Sequence, residues 1–460
     1  MLRDPYDQII STEDLQVKEG IENFVLGFLS NETRVTELLK IAAEDNDCAL
    51  AQAYAAALML MAETPAAQDL ARPFLEKAQS LKNRASLREQ CVVEAVQAWY
   101  AEDIPRAMEL GEHLAREYPA ELCMAKITQN HYFNYGDAPG MLRIAEQVMP
   151  AHPEDAHAHA MLAFGYEQCH LLDEAETAAW RALELKAKEP WAQHALAHVF
   201  LTRGQTDTGI QFLEEVSDTW TNLNSFMYTH NWWHLCLFYL NRDRYNDVLV
   251  CFDEKLWDIA PEFSQDQIGA VSMLLRMEHH GIDVGDRWQS VAHYLLPRVE
   301  DHVNPFLDLQ YLYGLARADK PEADQMLRHL IGYAEQAPEF ERVRWLRGAL
   351  PAARGLMAHA RGEWQKAVLL LEEAFPHLYR LGGSHAQRAL FDLVLLDARM
   401  KGGEWGAAQQ MLELQRQHDE KVPHTWRLLA QAYTALELPR EAERALAAVT
   451  ELTAATEGQV

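Results

Sequence analysis

Apolar and small residues recur along this chain at the three-to-four-residue spacing of amphipathic helices, and strand-like alternation is nearly absent. A longer repeat is superimposed on that spacing. Each repeat has a large residue, a Leu, a small residue and an aromatic residue in one helix, and an Ala or Gly near the start of the next helix. The pattern is complete near the C-terminus in Trp426, Leu429, Ala430, Tyr433 and Ala442. Thirty-four residues separate Ala175 from Gly209, and again Ala408 from Ala442. This is the tetratricopeptide period, so the sequence predicts an all-α fold, a right-handed solenoid of about twelve to twenty helices in stacked hairpins.

The fit to this period varies along the chain and suggests five segments. Matches are good in the first half and near the C-terminus, and they are loose in between. We expect an N-terminal cap at 1–40, tetratricopeptide-like repeats with the histidine pairs at 41–254, divergent helical hairpins at 255–350, C-terminal tetratricopeptide-like repeats at 351–452 and a tail at 453–460.

Composition narrows the class of protein. A chain of 460 residues is too long to fold around one compact core. Its content of 49% hydrophobic and 24% charged residues is typical of a folded protein. The net charge of −28, with no basic block, predicts that neither nucleic acid nor an anionic membrane is a partner. The uncharged stretch 48–62 is too short to span a membrane and predicts a buried helix. Six cysteines without CxxC spacing indicate a reducing, cytoplasmic location. A homodimer is left open.

Two histidine pairs give the clearest indication of a site. His194 and His198 are four residues apart, as are His230 and His234, so each pair shares a helix face. The pairs are 36 residues apart, close to one repeat, so neighbouring repeats should present all four to one concave surface. Four imidazoles can hold a divalent transition metal, or they can bind a ligand without metal by donating and accepting hydrogen bonds. The alternative is that each histidine only satisfies neighbouring groups in the repeat.

The segment Gly382-Gly383-Ser384-His385-Ala386-Gln387-Arg388 combines a turn with a helix start. The two glycines permit a sharp turn, and Ser384 with Gln387 three residues later predicts a capping box. His385 and Arg388 would then lie in the first helical turn, where free amides and the helix dipole favour an anion. Capping alone accounts for the serine and the glutamine, but it leaves His385 and Arg388 unexplained.

Several of these segments resemble the tetratricopeptide repeat protein 38 family. The resemblance is carried by 161–167, by His194-Ala195-Leu196-Ala197-His198-Val199, by Trp232-Trp233-His234-Leu235 and, most specifically, by 382–388; it extends over roughly 30–435. It implies the helical-repeat fold and no settled activity. The chain departs from the family pattern at Gly269, where an acidic residue is expected, and at Gln310, where histidine is expected.

Three classes of function remain after these observations. Serine-hydrolase, phosphate-loop and dinucleotide-binding motifs are absent from the sequence. We expect a solenoid that binds a small organic anion or a peptide terminus, with a ligand-binding set of His194, His198, His230, His234, Trp233, His385 and Arg388. Trp232 and Trp233 favour packing between helices over stacking on a ligand. The alternatives are an enzyme that uses the histidines as acid and base, or as ligands of a divalent metal in a biosynthetic pathway, and a protein-interaction scaffold.

Overall fold

The chain forms 24 α-helices and one short strand pair in the computed structural model, which describes residues 2–44 and 47–457. The strands are Leu2–Arg3 and Ile9–Ile10, paired antiparallel with Leu2 opposite Ile10. The helices are, in order, α1 Leu15–Ser30, α2 Glu37–Ala43, α3 Ala49–Leu60, α4 Pro65–Leu81, α5 Leu87–Tyr100, α6 Ile104–Glu117, α7 Leu122–Asn134, α8 Ala138–Val148, α9 Ala156–Gln168, α10 Leu172–Leu185, α11 Pro190–Thr202, α12 Thr206–Val216, α13 Ser225–Leu240, α14 Tyr245–Cys251, α15 Ser264–His279, α16 Arg287–Leu295, α17 Pro305–Arg317, α18 Glu322–Gln336, α19 Leu350–Ala360, α20 Trp364–Ala374, α21 His385–Lys401, α22 Trp405–His418, α23 Pro423–Ala435 and α24 Pro439–Glu457. Two π-helical turns occur at Phe252–Leu256 and Arg344–Ala349.

The prediction of an all-α solenoid of helical hairpins is confirmed. Consecutive helices pack as antiparallel pairs, for example α3 with α4, α9 with α10 and α23 with α24, and neighbouring pairs pack on one another, as α6 does on α7 and α20 on α21. The predicted number of helices, about twelve to twenty, was too low, because hairpins continue from α1 at residue 15 through the middle third of the chain. Of the predicted tail, residues 458–460 lie outside the described residues.

Glycine and alanine occur where helices of neighbouring hairpins approach closely. A Cβ on Gly209 in α12 would lie 2.5 Å from the ring of Phe238 in α13. The 34-residue spacing from Ala175 to Gly209 thus marks a position at which only a small residue fits. The uncharged stretch 48–62 forms α3, which is buried along almost its whole length, as predicted. Among the described residues, none of the helices has the length and apolar character needed to cross a membrane.

The helices group into two compact units. The first contains the residues up to Leu196 together with Asp218–Met227, and the second contains Ala197–Ser217 and the chain from Tyr228 onward. In the first unit the strand pair is fixed to α5, because the buried Arg88 donates to the Ile9 carbonyl at 2.9 Å and forms an ion pair with Glu121. In the second unit the histidine-bearing α13 is followed by the hairpins from α14 to α24.

The second unit closes on itself through what we call the clasp, the contact of 201–206 and 242–245 with 418–427. The Thr206 hydroxyl donates to the Asp419 carboxylate at 2.7 Å, and Arg242 forms an ion pair with the same carboxylate at 3.2 Å. Arg427 pairs with Asp243 in the same way. Gly204 makes the approach possible: its φ is +66°, and a Cβ there would lie 2.3 Å from the His418 carbonyl oxygen. The first and last hairpins of this unit are therefore joined.

Candidate metal and ligand site

Two helices carry the histidine pairs. α11 begins at Pro190, a residue that suits the first helical position, and ends before Gly204, whose positive φ stops the helix. His194 and His198 lie one turn apart on α11, and His230 and His234 lie one turn apart on α13. The 3.6-residue period places each pair along one stripe of its helix.

All four histidines come together. Each offers a ring nitrogen, and these nitrogens lie within 4.8 Å of one another. The rings of His198 and His234 have centroids 4.5 Å apart, and those of His230 and His234 are 4.8 Å apart. Their exposed fractions are 2% for His194, 1% for His198, 9% for His230 and 0% for His234. The four imidazoles are thus shielded from solvent, and the neighbourhood expected from the residue spacing is present.

Burial also sets the charge state of His230. Burial, together with the neighbouring His198, lowers the pKa of His230 to about 3. A histidine with so low a pKa is neutral at pH 7, and neutral imidazole is the form that coordinates a metal. The same shift makes His230 a weak general base near neutral pH, because efficient proton transfer needs a pKa close to the working pH.

Trp233 forms one wall beside the histidines. Its ring stacks on His230 at 5.4 Å with an interplanar angle of 6°, and it meets His234 edge-on at 5.0 Å. Only 1% of the side chain is exposed, in agreement with the packing role expected from the sequence. The indole N–H of Trp233 nevertheless has no hydrogen-bond partner in the part of the chain that the structure describes. A ligand contact by Trp233 stays a prediction.

Asn231, on α13 between the two histidines, is fully enclosed. Within the described ranges neither its side-chain nitrogen nor its side-chain oxygen has a hydrogen-bond partner. Such a group costs about 1–3 kcal/mol when it stays unsatisfied, so a polar guest beside it would recover that energy. No sequence pattern predicts a role for this asparagine, because one amide in an aromatic-rich helix forms no motif.

Arg276 on α15 is a second residue that sequence analysis missed. It is 4% exposed and lies over the Trp233 ring, with Cζ 5.1 Å from the ring centroid. It donates to the Ser272 carbonyl at 3.1 Å, to the Ser272 hydroxyl at 2.6 Å and to the Ala386 carbonyl at 2.8 Å. A signal was present in the sequence, since Arg276 interrupts the apolar run 273–277 with a charge.

The bond to Ala386 connects the histidine region to the turn at 382–388. The predicted capping box is confirmed, with Ser384 and Gln387 each bonded to the other's backbone N–H. Gly382 and Gly383 have φ values of +84° and +75°, as the turn requires. Because α21 begins there and packs on α15, Arg276 lies between Trp233 and this turn.

His385 and Arg388 are half-buried in the first turn of α21. Arg388 donates to the Gly383 carbonyl and, at 3.1 Å, contacts Nδ1 of His385. Part of its hydrogen-bonding capacity therefore stabilises the turn itself. Nearby, burial raises the pKa of Asp392 to about 6, and Arg388 and Arg276 oppose that rise. An anion-binding role for His385 and Arg388 stays a prediction.

A separate histidine group lies at the clasp. His280, which ends α15, stacks on His424 of α23 at 4.0 Å, and His279 meets His424 edge-on at 5.0 Å. The helix ends at these residues, and their rings are partly enclosed because His424 of α23 packs against them.

Comparison with known proteins relates the chain to helical-repeat structures. No family model matches the sequence. The human IFIT1 dimer with m7Gppp-AAAA is similar over 98% of this chain and 98% of that one, with 13% identity and a TM-score of 0.44. The TPR domain of P58(IPK) is similar over 80% of this chain and 93% of that one, with 12% identity and a TM-score of 0.20. The tetratricopeptide-like helical-repeat fold of the chain rests on its own helices and their 34-residue spacing. The ligands in those structures belong to those proteins.

Proposed function

We propose that the four histidines bind one divalent transition metal and that the metal, in the interior of the repeat solenoid, holds a small organic anion or a peptide terminus. The observation that carries the proposal is the convergence of four buried ring nitrogens within 4.8 Å. In a tetrahedral zinc site with Zn–N bonds of about 2.0–2.1 Å, neighbouring nitrogens are about 3.4 Å apart. Small side-chain rotations therefore suffice to close the cluster around an ion.

The chemistry of the ligands favours binding of an anion. Four neutral imidazoles leave the full double charge of the metal uncompensated inside the protein, and a buried charge is stable only when it is paired. If one histidine leaves, three protein ligands and one open position remain, which is the arrangement of catalytic zinc sites. A carboxylate from the guest would fill that position and balance the charge.

The enzyme alternative rests on the same metal. A metal-bound water or a polarised carbonyl would supply the reactive group. Proton transfer by the histidines themselves is less favoured, because His230 is neutral and weakly basic at pH 7. The scaffold alternative is less favoured because the clasp joins the ends of the second unit, whereas a scaffold needs an open groove.

Metal titration tests the proposal. Protein stripped with a chelator should take up one equivalent of Zn²⁺ in competition with a chromophoric chelator at pH 7. Co²⁺ should give the intense visible absorption of a tetrahedral site. His198→Ala and His234→Ala should each weaken Zn²⁺ binding by at least about 100-fold, since each removes a direct ligand.

His293→Ala is the matched control, because His293 is an exposed histidine of α16 outside the cluster. It should bind Zn²⁺ as the parent does. Circular dichroism would verify that all variants remain helical. A parent protein without a stoichiometric site, or a His198→Ala/His234→Ala double variant that binds Zn²⁺ as tightly as the parent, would refute the metal site.

We further propose membership of the tetratricopeptide repeat protein 38 family, supported by the residues at 194–199, 232–235 and 382–388. A cytoplasmic location is proposed as well, and it is supported by the six cysteines, none of which forms a disulfide among the described residues. The exclusion of nucleic acid depends on the net charge of −28 and stays a prediction, as does a homodimer.

A further inference from the structure

Arg276 is a buried cation without a matching anion. Its three hydrogen bonds go to neutral acceptors, two on Ser272 and one on Ala386. No carboxylate in the described chain lies within ion-pair distance of it, although other buried arginines such as Arg88 and Arg298 have one. Enclosing a guanidinium without a counter-charge is costly unless a bound group supplies the charge.

Trp233 offers a second, neutral donor, its indole N–H. Arg276 lies over this ring, and the N–H has no partner among the described residues. The ring also contacts His230 and His234, so a single aromatic ring links Arg276 to the proposed metal site. A guest that accepts hydrogen bonds there would satisfy the arginine and the indole together.

We infer that Arg276 and the Trp233 N–H form an oxyanion pocket beside the four histidines, and that the ligand is a small carboxylic acid with a second group able to coordinate the metal. This inference rests on the proposed metal site and adds the residue that recognises the ligand. A guanidinium presents paired N–H donors whose spacing matches the two oxygens of a carboxylate. The Ala386 and Ser272 bonds fix the guanidinium plane, so the pocket is prepared before the ligand arrives.

A carboxylate fits the surroundings better than a phosphate. Phosphate places its negative charge on one small group, whereas a dicarboxylate divides two charges between Arg276 and the metal. Asp392, the acidic group that acts on Arg276, stays close enough to influence it without pairing with it. One negative charge on the ligand is therefore enough to balance Arg276, and a second coordinating atom is left for the metal.

Calorimetric titration of the full chain with succinate tests the pocket, with and without one equivalent of Zn²⁺. Succinamide, which has the same size and no charge, and inorganic phosphate are the comparison ligands. Succinate should bind the Zn²⁺-loaded parent more tightly than either. Arg276→Gln should weaken succinate binding by about 10- to 100-fold and Trp233→Phe by less, while the Zn²⁺ affinity stays within about twofold of the parent. Arg276→Lys should recover part of the loss.

The control is Arg287→Gln, which removes the same charge from an arginine paired with Asp253 near the surface. It should bind succinate as the parent does. If Zn²⁺ binds but succinate binds Arg276→Gln, Arg276→Lys and parent equally, or binds no better than succinamide, the oxyanion pocket is refuted and the metal site stands. Stronger binding of phosphate than of succinate overturns the carboxylate assignment. If Zn²⁺ does not bind, the proposed function fails. The oxyanion pocket is then tested without metal: it stands if metal-free Arg276→Gln loses the succinate binding of the metal-free parent, and it is refuted if the two bind succinate equally.

Discussion

Substituting alanine for Gly383 is expected to lower the free energy of unfolding by about 2–4 kcal/mol, from strain and overpacking together. Gly383 has a φ of +75°, and a Cβ on it would lie 2.7–3.0 Å from three atoms of the Phe306 ring. The carbonyl of Gly383 also accepts from Arg388, so a shift of the turn disturbs the start of α21. Urea unfolding followed by circular dichroism measures the effect.

Gly269→Ala is the matched comparison. Gly269 lies inside α15, and nothing is within 4 Å of the position that a Cβ would occupy. Alanine there should raise stability by up to about 1 kcal/mol through helix propensity. Opposite signs for the two substitutions are expected. A Gly383→Ala variant as stable as the parent would show that neither the ring contact nor the positive φ constrains this turn.

Acid should destabilise the second unit through the histidines of the clasp. Burial lowers the pKa of His279 to about 4 and that of His424 to about 2, from an ordinary value of 6.5. A lowered pKa means that the unfolded chain binds the proton more readily than the folded one. The stability that these neutral rings contribute is therefore complete above about pH 6.5 and is lost as the pH falls towards 4. For His279 alone the loss amounts to at most about 3 kcal/mol.

The charges around these rings make protonation still less favourable. His280 stacks on His424 at 4.0 Å, so protonating both would place two positive charges in contact. The other charged or titratable groups that act on the cluster are Arg276, His359, Asp397, Lys401 and Arg427, with Asp243 and Tyr245 beside Arg427. The cations outnumber the two carboxylates, and those carboxylates are already paired with His359, Lys401 and Arg427.

Unfolding by urea between pH 7.5 and 4.5 measures this dependence. His424→Phe keeps an aromatic ring and removes the titration, so its stability should fall less steeply with acid than that of the parent. His293→Ala, at an exposed site, should follow the parent. Identical slopes for His424→Phe and the parent would mean that protonation of the clasp does not drive acid unfolding.

The fold and the four-histidine cluster follow from the local pattern of residues in the sequence. Helical periodicity, the 34-residue spacing and small residues such as Gly209 determine hairpins that stack, because each hairpin has an apolar face that only a neighbour can cover. The spacing of four within a pair and 36 between pairs likewise brings His194, His198, His230 and His234 together, since both distances are periods of the repeat. The capping box at Ser384 is also local, and the structure contains it.

The clasp and the contacts of Arg276 are features that only the tertiary structure determines, because the repeat period does not encode them. The clasp depends on 201–206 meeting 418–427, more than two hundred residues apart, and that closure is set by the accumulated rotation of many hairpins. Arg276 contacts Ala386 and Trp233 for the same reason. A charged residue within an apolar stretch of α15 therefore lies over the tryptophan that packs on the histidines. Repeat spacing specifies contacts between adjacent hairpins, whereas contacts across the interior depend on the sum of small angles, which no single segment of sequence contains.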